Sequence, residues 1–307
     1  MKKNSIFVMG SYAVGMTAEC PAFPNVGETV KGTNFAAIHG GKGSNQAIAV
    51  ARLGGNVTFC TCLGNDTFGK EALKLFADEK INKDYVKVCE TSKTGVGIVM
   101  VDPKGRNEIV IVLGANEDFT ADDAEKLRAV IAEASVVLLQ LEFNLNAVAR
   151  VIEIAHELHI PVILDPAPYQ KIPESVIKKV TYLVPNEGEA LQLLEEKAAL
   201  PPAELAERLY RRFGCNIIVT LGDKGCYIRT ESLSVLIPTY PLKPVDTTGA
   251  GDTFSGAFAY ALSEGMPLEK AVDTALAASS LSVTKFGVIE SIPYLNEVLK
   301  LIEGGKN

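Results

Sequence analysis

The chain has 307 residues, 47% of them hydrophobic, with a formal net charge of −7 and a pI near 5.2. That length supports one large α/β core, and the acidity argues against a nucleic-acid or anionic-membrane binder, both of which need basic surface. No stretch reaches the roughly 18 to 20 continuous apolar residues of a membrane span, and the apolar run at 6–9 is too short for a signal-peptide core, so a cytoplasmic protein is expected.

The first apolar run predicts a strand over 5–10, and residues 11–38 are mixed, with β-type pieces at 12–16 and 29–37. A helix is expected from Asn45 to Leu53, stopped by Gly54-Gly55, then a strand over 57–63 and a helix over 67–80. Runs at 94–101 and 108–113 flank Pro103-Lys104-Gly105-Arg106 and predict a hairpin. Together with 12–37 it forms a small sheet apart from the main body. From about 120 the rhythm is regular. Thr120 to Asp123 fits a capping box opening a helix. Strands follow at 135–139, 162–165, 182–184 and 217–220, interleaved with helices at 147–158, 187–195 and 203–213. Short, wholly apolar strands between amphipathic helices mean a parallel sheet covered on both faces. Antiparallel β structure is expected at 225–238, and helices at 252–263, 268–285 and 293–302 close the chain. Six scattered cysteines form no CxxC pair and read as buried thiols, with Cys60 and Cys62 on one side of a strand.

Polar clusters recur directly after the apolar strands, at the carboxyl edge where open α/β sheets bind ligands. They are Gln140-Leu141-Glu142, Asp165-Pro166-Ala167-Pro168, Pro185-Asn186-Glu187-Gly188-Glu189 and Thr220-Leu221-Gly222-Asp223-Lys224-Gly225. Asn186 and Glu189 are suited either to a hydrated Mg²⁺ or simply to a helix start. His39-Gly40-Gly41-Lys42-Gly43-Ser44-Asn45-Gln46 is not a Walker A loop, because its leading glycine is Ala36 and its hydroxyl position is Gly43. It is either a tight turn or a ligand loop in which backbone approaches closely.

The most telling stretch runs from Pro244 to Gly256. Asp246-Thr247-Thr248-Gly249-Ala250-Gly251-Asp252 puts a glycine turn at the start of an apolar helix, with a carboxylate in its first turn. Unpaired N–H groups at a helix start bind phosphate, and a carboxylate beside them can take a proton from an attacking hydroxyl. The pair describes phosphoryl transfer to an alcohol.

These residues together resemble the ribokinase-like (PfkB) carbohydrate kinases over nearly the whole chain, and within them the ribokinase branch. The likeness is carried by 40–55 and 246–259, by Phe23-Pro24 with Gly27-Glu28-Thr29, and by Gln140-Leu141-Glu142, Pro166-Ala167-Pro168 and Pro185-Asn186-Glu187. The resemblance implies a single α/β kinase domain over 1–307, a three-layer fold with a mainly parallel central sheet and a small β-sheet lid built from roughly 11–38 and 94–113. It implies Asp252 as general base and Gly249, Ala250 and Gly251 as the anion hole. Gly41, Lys42, Asn45 and Glu142 would hold the sugar; Asn186, Thr220, Gly222 and Gly225 would follow the ATP, with Glu189 organising Mg²⁺ through water. Asp246, Thr248, Ser282, Lys285, Gly287 and Ser291 match positions around a monovalent cation such as K⁺. A homodimer through the lid is implied too.

One departure stands out. Ribokinases carry Asn and Asp in a Gly-Ser-x-Asn-x-Asp pattern; here the row is Gly10-Ser11-Tyr12-Ala13-Val14-Gly15, and His39 stands where an apolar or aromatic residue is usual. The ribose clamp is therefore expected to be changed and the sugar or polyol to be another, bulkier one. A nucleoside kinase, with Tyr12 to stack on a base, and a sugar-binding regulator that has lost catalysis are the alternatives. Retention of Asp252 and the glycine turn argues against the regulator.

Overall fold

The computed structural model describes residues 4–306. In chain order the elements begin with β1 (Ser5–Met9), β2 (Ala13–Glu19), β3 (Asn34–Gly40), α1 (Lys42–Arg52), β4 (Asn56–Cys60), β5 (Cys62–Gly64), α2 (Thr67–Asp78), β6 (Lys87–Cys89), β7 (Gly95–Val101) and β8 (Asn107–Val112). They continue with α3 (Ala121–Glu125), α4 (Arg128–Ala132), β9 (Val136–Leu139), α5 (Leu145–Glu157), β10 (Val162–Leu164), α6 (Glu174–Ile177), β11 (Tyr182–Leu183), α7 (Glu187–Leu194), α8 (Pro202–Phe213) and β12 (Asn216–Thr220). The last are β13 (Cys226–Arg229), β14 (Ser234–Ile237), α9 (Ala250–Ser263), α10 (Leu268–Ser282) and α11 (Leu295–Gly304).

An 8-stranded sheet in the order β14-β13-β12-β11-β10-β9-β1-β4 forms the centre. Its strands are parallel except β13 and β14, which pair antiparallel. Alternation along β1 shows why both faces are covered: Ile6 and Val8 enter the core under α1, α9 and α10, while Phe7 and Met9 enter the core under α5 and α8. This is the three-layer arrangement expected. No helix among the described residues is long and apolar enough to cross a membrane.

A second, 4-stranded sheet in the order β3-β2-β7-β8 stands apart, in the place where the resemblance implies a lid. Its strands are 13–19, 34–40, 95–101 and 107–112, so the piece expected at 29–37 begins later, and residues 20–33 carry no strand. The strand expected over 57–63 breaks at Thr61: β4 belongs to the main sheet, while β5 leaves it to pair with β6. All six cysteines are free and buried; Cys62 and Cys89 lie with their sulfurs 3.1 Å apart across that small pair. The helix predicted from Thr120 is two short ones, α3 and α4, the first held by the expected Thr120–Asp123 capping box.

Candidate active site

Five adjacent strands of the main sheet deliver the site from their carboxyl ends. Thr220 ends β12, Asn186 follows β11, Asp165 follows β10, Gln140 and Glu142 follow β9, and Ser11 follows β1. The strand order thus sets the residues expected along a nucleotide at one side of the edge and those expected around a sugar at the other.

α9 supplies the floor. Gly249 caps it with φ 76°, a left-handed conformation that glycine alone adopts without strain, and a Cβ there would meet Val288 Cγ1 at 2.5 Å. No side chain caps α9. The amide of Ala250 makes a long 3.3 Å bond to the Thr247 carbonyl, so the amides of Gly251 and Asp252 are the donors of the first turn left for an anion.

Asp252 is buried, 6% exposed, and clasped from α1: Asn45 Nδ2 donates to its Oδ2 at 2.8 Å and Gln46 Nε2 to its Oδ1 at 3.1 Å. Gln46 Nε2 also donates to Asp165 Oδ2 at 2.8 Å, and Gln46 Oε1 accepts from Gln140 Nε2 at 2.6 Å. One amide therefore ties two carboxylates together. Burial, with Asp252 and Glu189 nearby, pushes the Asp165 carboxyl well above the usual range, against the opposing pull of Lys42 and the Gln46 bond. Asn45 Oδ1 is buried without a hydrogen-bond partner among the described residues.

α1 begins at a second strained turn. Gly41 has φ 95°, and a Cβ on it would meet Tyr12 Cα at 2.7 Å. That close approach brings the Lys42 amide to Glu142 Oε2 at 3.0 Å, and the same oxygen accepts from Ser11 Oγ at 2.5 Å. The Lys42 ammonium is held in its charged form by Asp252 first, then, against the cost of burial, by Asp165, Glu142 and Glu189. Among the described residues it makes no ion pair within 4.0 Å, which leaves it a charge for an anion.

A cavity of about 180 Å³ brings together Lys42, Asn186, Glu189, Thr220, Gly249, Gly251 and Asp252 from the predicted residues, with Asp165 and Ser255 added. A second cavity of about 210 Å³ lies across the α9 turn, lined by Gly222, Tyr240, Pro241, Leu242, Ala250 and Val283 among others. Gly225 lines neither. It sits at the β12–β13 turn with φ 97°, where a Cβ would run into the Ile237 carbonyl. Larger surface hollows elsewhere hold none of the predicted site residues.

Asn186 and Glu189 cap α7 reciprocally, each backbone amide donating to the other's side chain at 2.9 Å. Helix start and site residue are thus not exclusive readings: one carboxylate oxygen of Glu189 is committed, and the other has no protein partner among the described residues. Burial raises the Glu189 carboxyl, partly offset by its bonds to Asn186. No cluster of three or more His, Cys, Asp or Glu fit for a metal exists among the described residues, so a divalent ion here would draw most of its ligands from phosphate and water, as Mg²⁺ does.

Of the residues expected around a monovalent cation, Asp246, Thr248 and Gly287 meet. Asp246 Oδ1 accepts from Thr248 N at 3.0 Å and Thr248 Oγ1 at 2.7 Å, and Oδ2 accepts from Gly287 N at 3.2 Å. Burial opposes the charge, but these bonds win and hold the carboxyl below its ordinary range. The Ser282 and Ser291 hydroxyls donate to Ser279 and Val288 carbonyls, and the Lys285 side chain turns to Glu297.

Two expectations about the sugar end change. Tyr12 is fully buried, its ring edge on Phe76, and its hydroxyl shares a 2.5 Å hydrogen bond with His39 Nδ1. It has no face left to stack on a base. His39 pairs across the lid with Val14, so strand alternation places both opposite the Ala13 and Gly15 face. His39 therefore braces Tyr12 and does not reshape the sugar clamp. Sequence reading assigned no role to Gln46, Asp165 or Ser255, although Gln46 sits inside the glycine-rich motif and Asp165 in a noted strand-end cluster. The apolar lining at 240–242 carries no motif at all.

The family model "pfkB family carbohydrate kinase" matches residues 3–295. The chain belongs to the pfkB family of carbohydrate kinases. A ribokinase of Bacillus subtilis is 38% identical over 304 residues, covering 97% of this chain and 99% of that one. A deoxyribokinase of Salmonella typhi is 33% identical, covering 97% of this chain and 99% of that one. The structure of an Arabidopsis thaliana ribokinase complexed with ribose and ATP superposes with a TM-score of 0.91 at 31% identity, covering 99% of each chain. This pfkB carbohydrate kinase thus shares its fold with ribokinases over nearly its whole length.

Proposed function

We propose that the protein is a cytoplasmic, ATP-dependent sugar kinase that phosphorylates a primary hydroxyl, with Asp252 as general base. The observation that carries the reading is the clasped Asp252 carboxylate on an uncapped helix start, facing one cavity with Lys42. The sugar hydroxyl lies against Asp252, in the cavity that it shares with Lys42. As its oxygen bonds to the γ-phosphorus, the bond to the ADP oxygen breaks and the hydroxyl proton passes to Asp252. The Gly251 and Asp252 amides and the Lys42 ammonium face the charge that develops on the phosphoryl oxygens.

The apolar slot at Tyr240, Leu242 and Val283 suits the adenine, with Gly222 at its rim, and Asn186 and Thr220 lie toward the phosphates. Glu189 would hold Mg²⁺ through water, and the ion would supply charge neutralisation on those phosphates. Asp246, Thr248, Gly287 and the neighbouring 282–291 loop form the K⁺ position, with Val288 leaning on Gly249.

Two further proposals follow. Ribose is a poor substrate, because Ala13 and Gly15 offer no side-chain hydrogen bond to its hydroxyls, and a site that lacks such partners loses discrimination for them. The lid makes a homodimer: β8 is an edge strand whose Ile109, Val110, Ile111 and Val112 are all at least 50% exposed, an unprotected apolar edge that a second copy would cover.

The test is ADP release over pentoses, hexoses, ketoses and polyols, with and without K⁺. Asp252→Asn should lower kcat about 10²- to 10⁴-fold on any accepted sugar. Wild-type turnover in that variant would overturn the mechanism, and ribose ranking first in the panel would overturn the substrate reading.

A further inference from the structure

Gln140 follows β9, is fully buried and lines neither cavity of the site. Its Nε2 donates to Gln46 Oε1 at 2.6 Å, while its own Oε1 has no hydrogen-bond partner among the described residues. A buried amide with one end unpaired is less favourable than an apolar side chain of the same shape. Packing makes room for it all the same. Gly10 lies outside the left-handed region, yet a Cβ there would run into Gln140 Oε1 at 1.9 Å. Glycine at 10 is therefore required by the glutamine amide and by α1, whose Gly43 Cα would lie 2.9 Å from the same Cβ.

The Gln140 amide decides which end of the Gln46 amide meets the carboxylates. Gln46 Nε2 uses both its protons, on Asp165 Oδ2 at 2.8 Å and on Asp252 Oδ1 at 3.1 Å. Turned by half a revolution, Gln46 would set its oxygen against Asp252 and withdraw that donor. Asp165 does not resist the turn, because burial favours its neutral form, whose O–H can donate to the turned oxygen. Gln140 does resist it. With its NH₂ in place, the turned Gln46 would meet it donor to donor, with no acceptor between them.

We propose that Gln140 is a positioning residue for phosphoryl transfer: it locks Gln46 in the one orientation that steadies Asp252 for the incoming hydroxyl. The inference rests on the sugar-kinase reading above. Gln140 acts through Gln46 and touches no reactant. It lowers the stability of the fold and sharpens the geometry of the reacting carboxylate, the usual opposition between stability and activity. Asn45 still holds the other oxygen, Oδ2, so loss of Gln140 loosens Asp252 without releasing it.

The experiment uses Gln140→Met, which keeps the length and volume of the side chain and removes its bond to Gln46. ADP release is followed on whichever of D-ribose, D-fructose and D-xylose the wild type turns over fastest. The expected result is a kcat about 10-fold lower, with KM for sugar and for ATP each within about twofold of wild type. The melting temperature should equal or exceed that of wild type, since an unpaired buried oxygen is gone. In a Gln46→Ala background, Gln140→Met should change kcat by less than about twofold, because its partner is absent. Wild-type kcat in Gln140→Met, or losses that multiply in the double variant, overturn the positioning role. A lower kcat that comes with a lower melting temperature and a raised KM marks general loosening and overturns it too. Asp252→Asn, run alongside, separates the two readings. If it keeps wild-type turnover, the base assignment falls and this role with it; if it is inactive beside a fully active Gln140→Met, this role alone falls.

Discussion

The floor of the site and its lid are built on opposite plans. Around Asp252 the side-chain polar atoms are interlocked: Asn45, Gln46, Asp165, Gln140 and Ser255 form one buried chain of hydrogen bonds spanning α1, α9 and two strand ends. The small-sheet face that carries Ala13 and Gly15 offers glycines and apolar side chains, with Thr17 its one hydroxyl in β2. The floor must hold reacting atoms within tenths of an ångström, and only locked rotamers do that. The lid needs only to shape a volume. On the proposed reading, the difference teaches that chemistry and selectivity are separately encoded here, and each can be perturbed alone.

Breaking the floor should have the largest effects. After Asp252→Asn, the greatest loss is expected from Gly249→Ala, which forces a Cβ into a left-handed turn and against Val288. A drop of about 10²-fold or more in kcat is expected, as for a damaged anion hole. Adding Val288→Ala should recover part of it, and a steady-state assay of the double variant checks this. Gln46→Ala comes next. It strips a donor from both Asp165 and Asp252, and urea titration should show a loss of about 1.5–3 kcal/mol.

At the lid, Val110→Lys should turn a dimer into a monomer in size-exclusion chromatography with light scattering, while turnover changes little. An unaltered elution would show that β8 is not the contact. The smallest effect concerns acid stability. The Asp246 carboxyl lies below its ordinary range, so its charged form stabilises the fold at neutral pH. That stabilisation is lost as pH falls from about 4 through the lower native value. Asp246→Asn should be slightly less stable at pH 7 and lose stability less steeply on acidification, as thermal melts across pH would show.

Much of this architecture was legible in the residues. Runs such as 136–139 and 217–219 are short and wholly apolar, as a strand buried on both faces is, and the turn at 249–252 has the pattern of an anion site. Other features depend on distant pairings that no local pattern records. The Gln46–Asp165 bond joins residues 119 positions apart. The break at Thr61 is invisible because Cys60 and Cys62 are equally apolar on either side of it. The slot at 240–244 is formed where loop, helix α10 and the α9 turn meet, so none of its residues stands out alone. Tyr12 and His39 looked like site residues because they adjoin the motifs; pleating turned them away.

The passage from β1 to β2 has a consequence for how such a protein can change over time. Only Gly10, Ser11 and Tyr12 separate β1 of the main sheet from β2 of the small sheet. Tyr12 is pinned at that joint by Asn116, which accepts from its amide at 3.1 Å and donates to its carbonyl at 2.9 Å. The side chain plays the part of a neighbouring strand and fixes where the lid departs. Beyond this anchor, residues such as Ala13, Gly15 and Gly97 can be exchanged one at a time without disturbing Asp252 or its supports. Lineages sharing one phosphotransfer apparatus could therefore diverge in what they recognise through a handful of point substitutions on a single face.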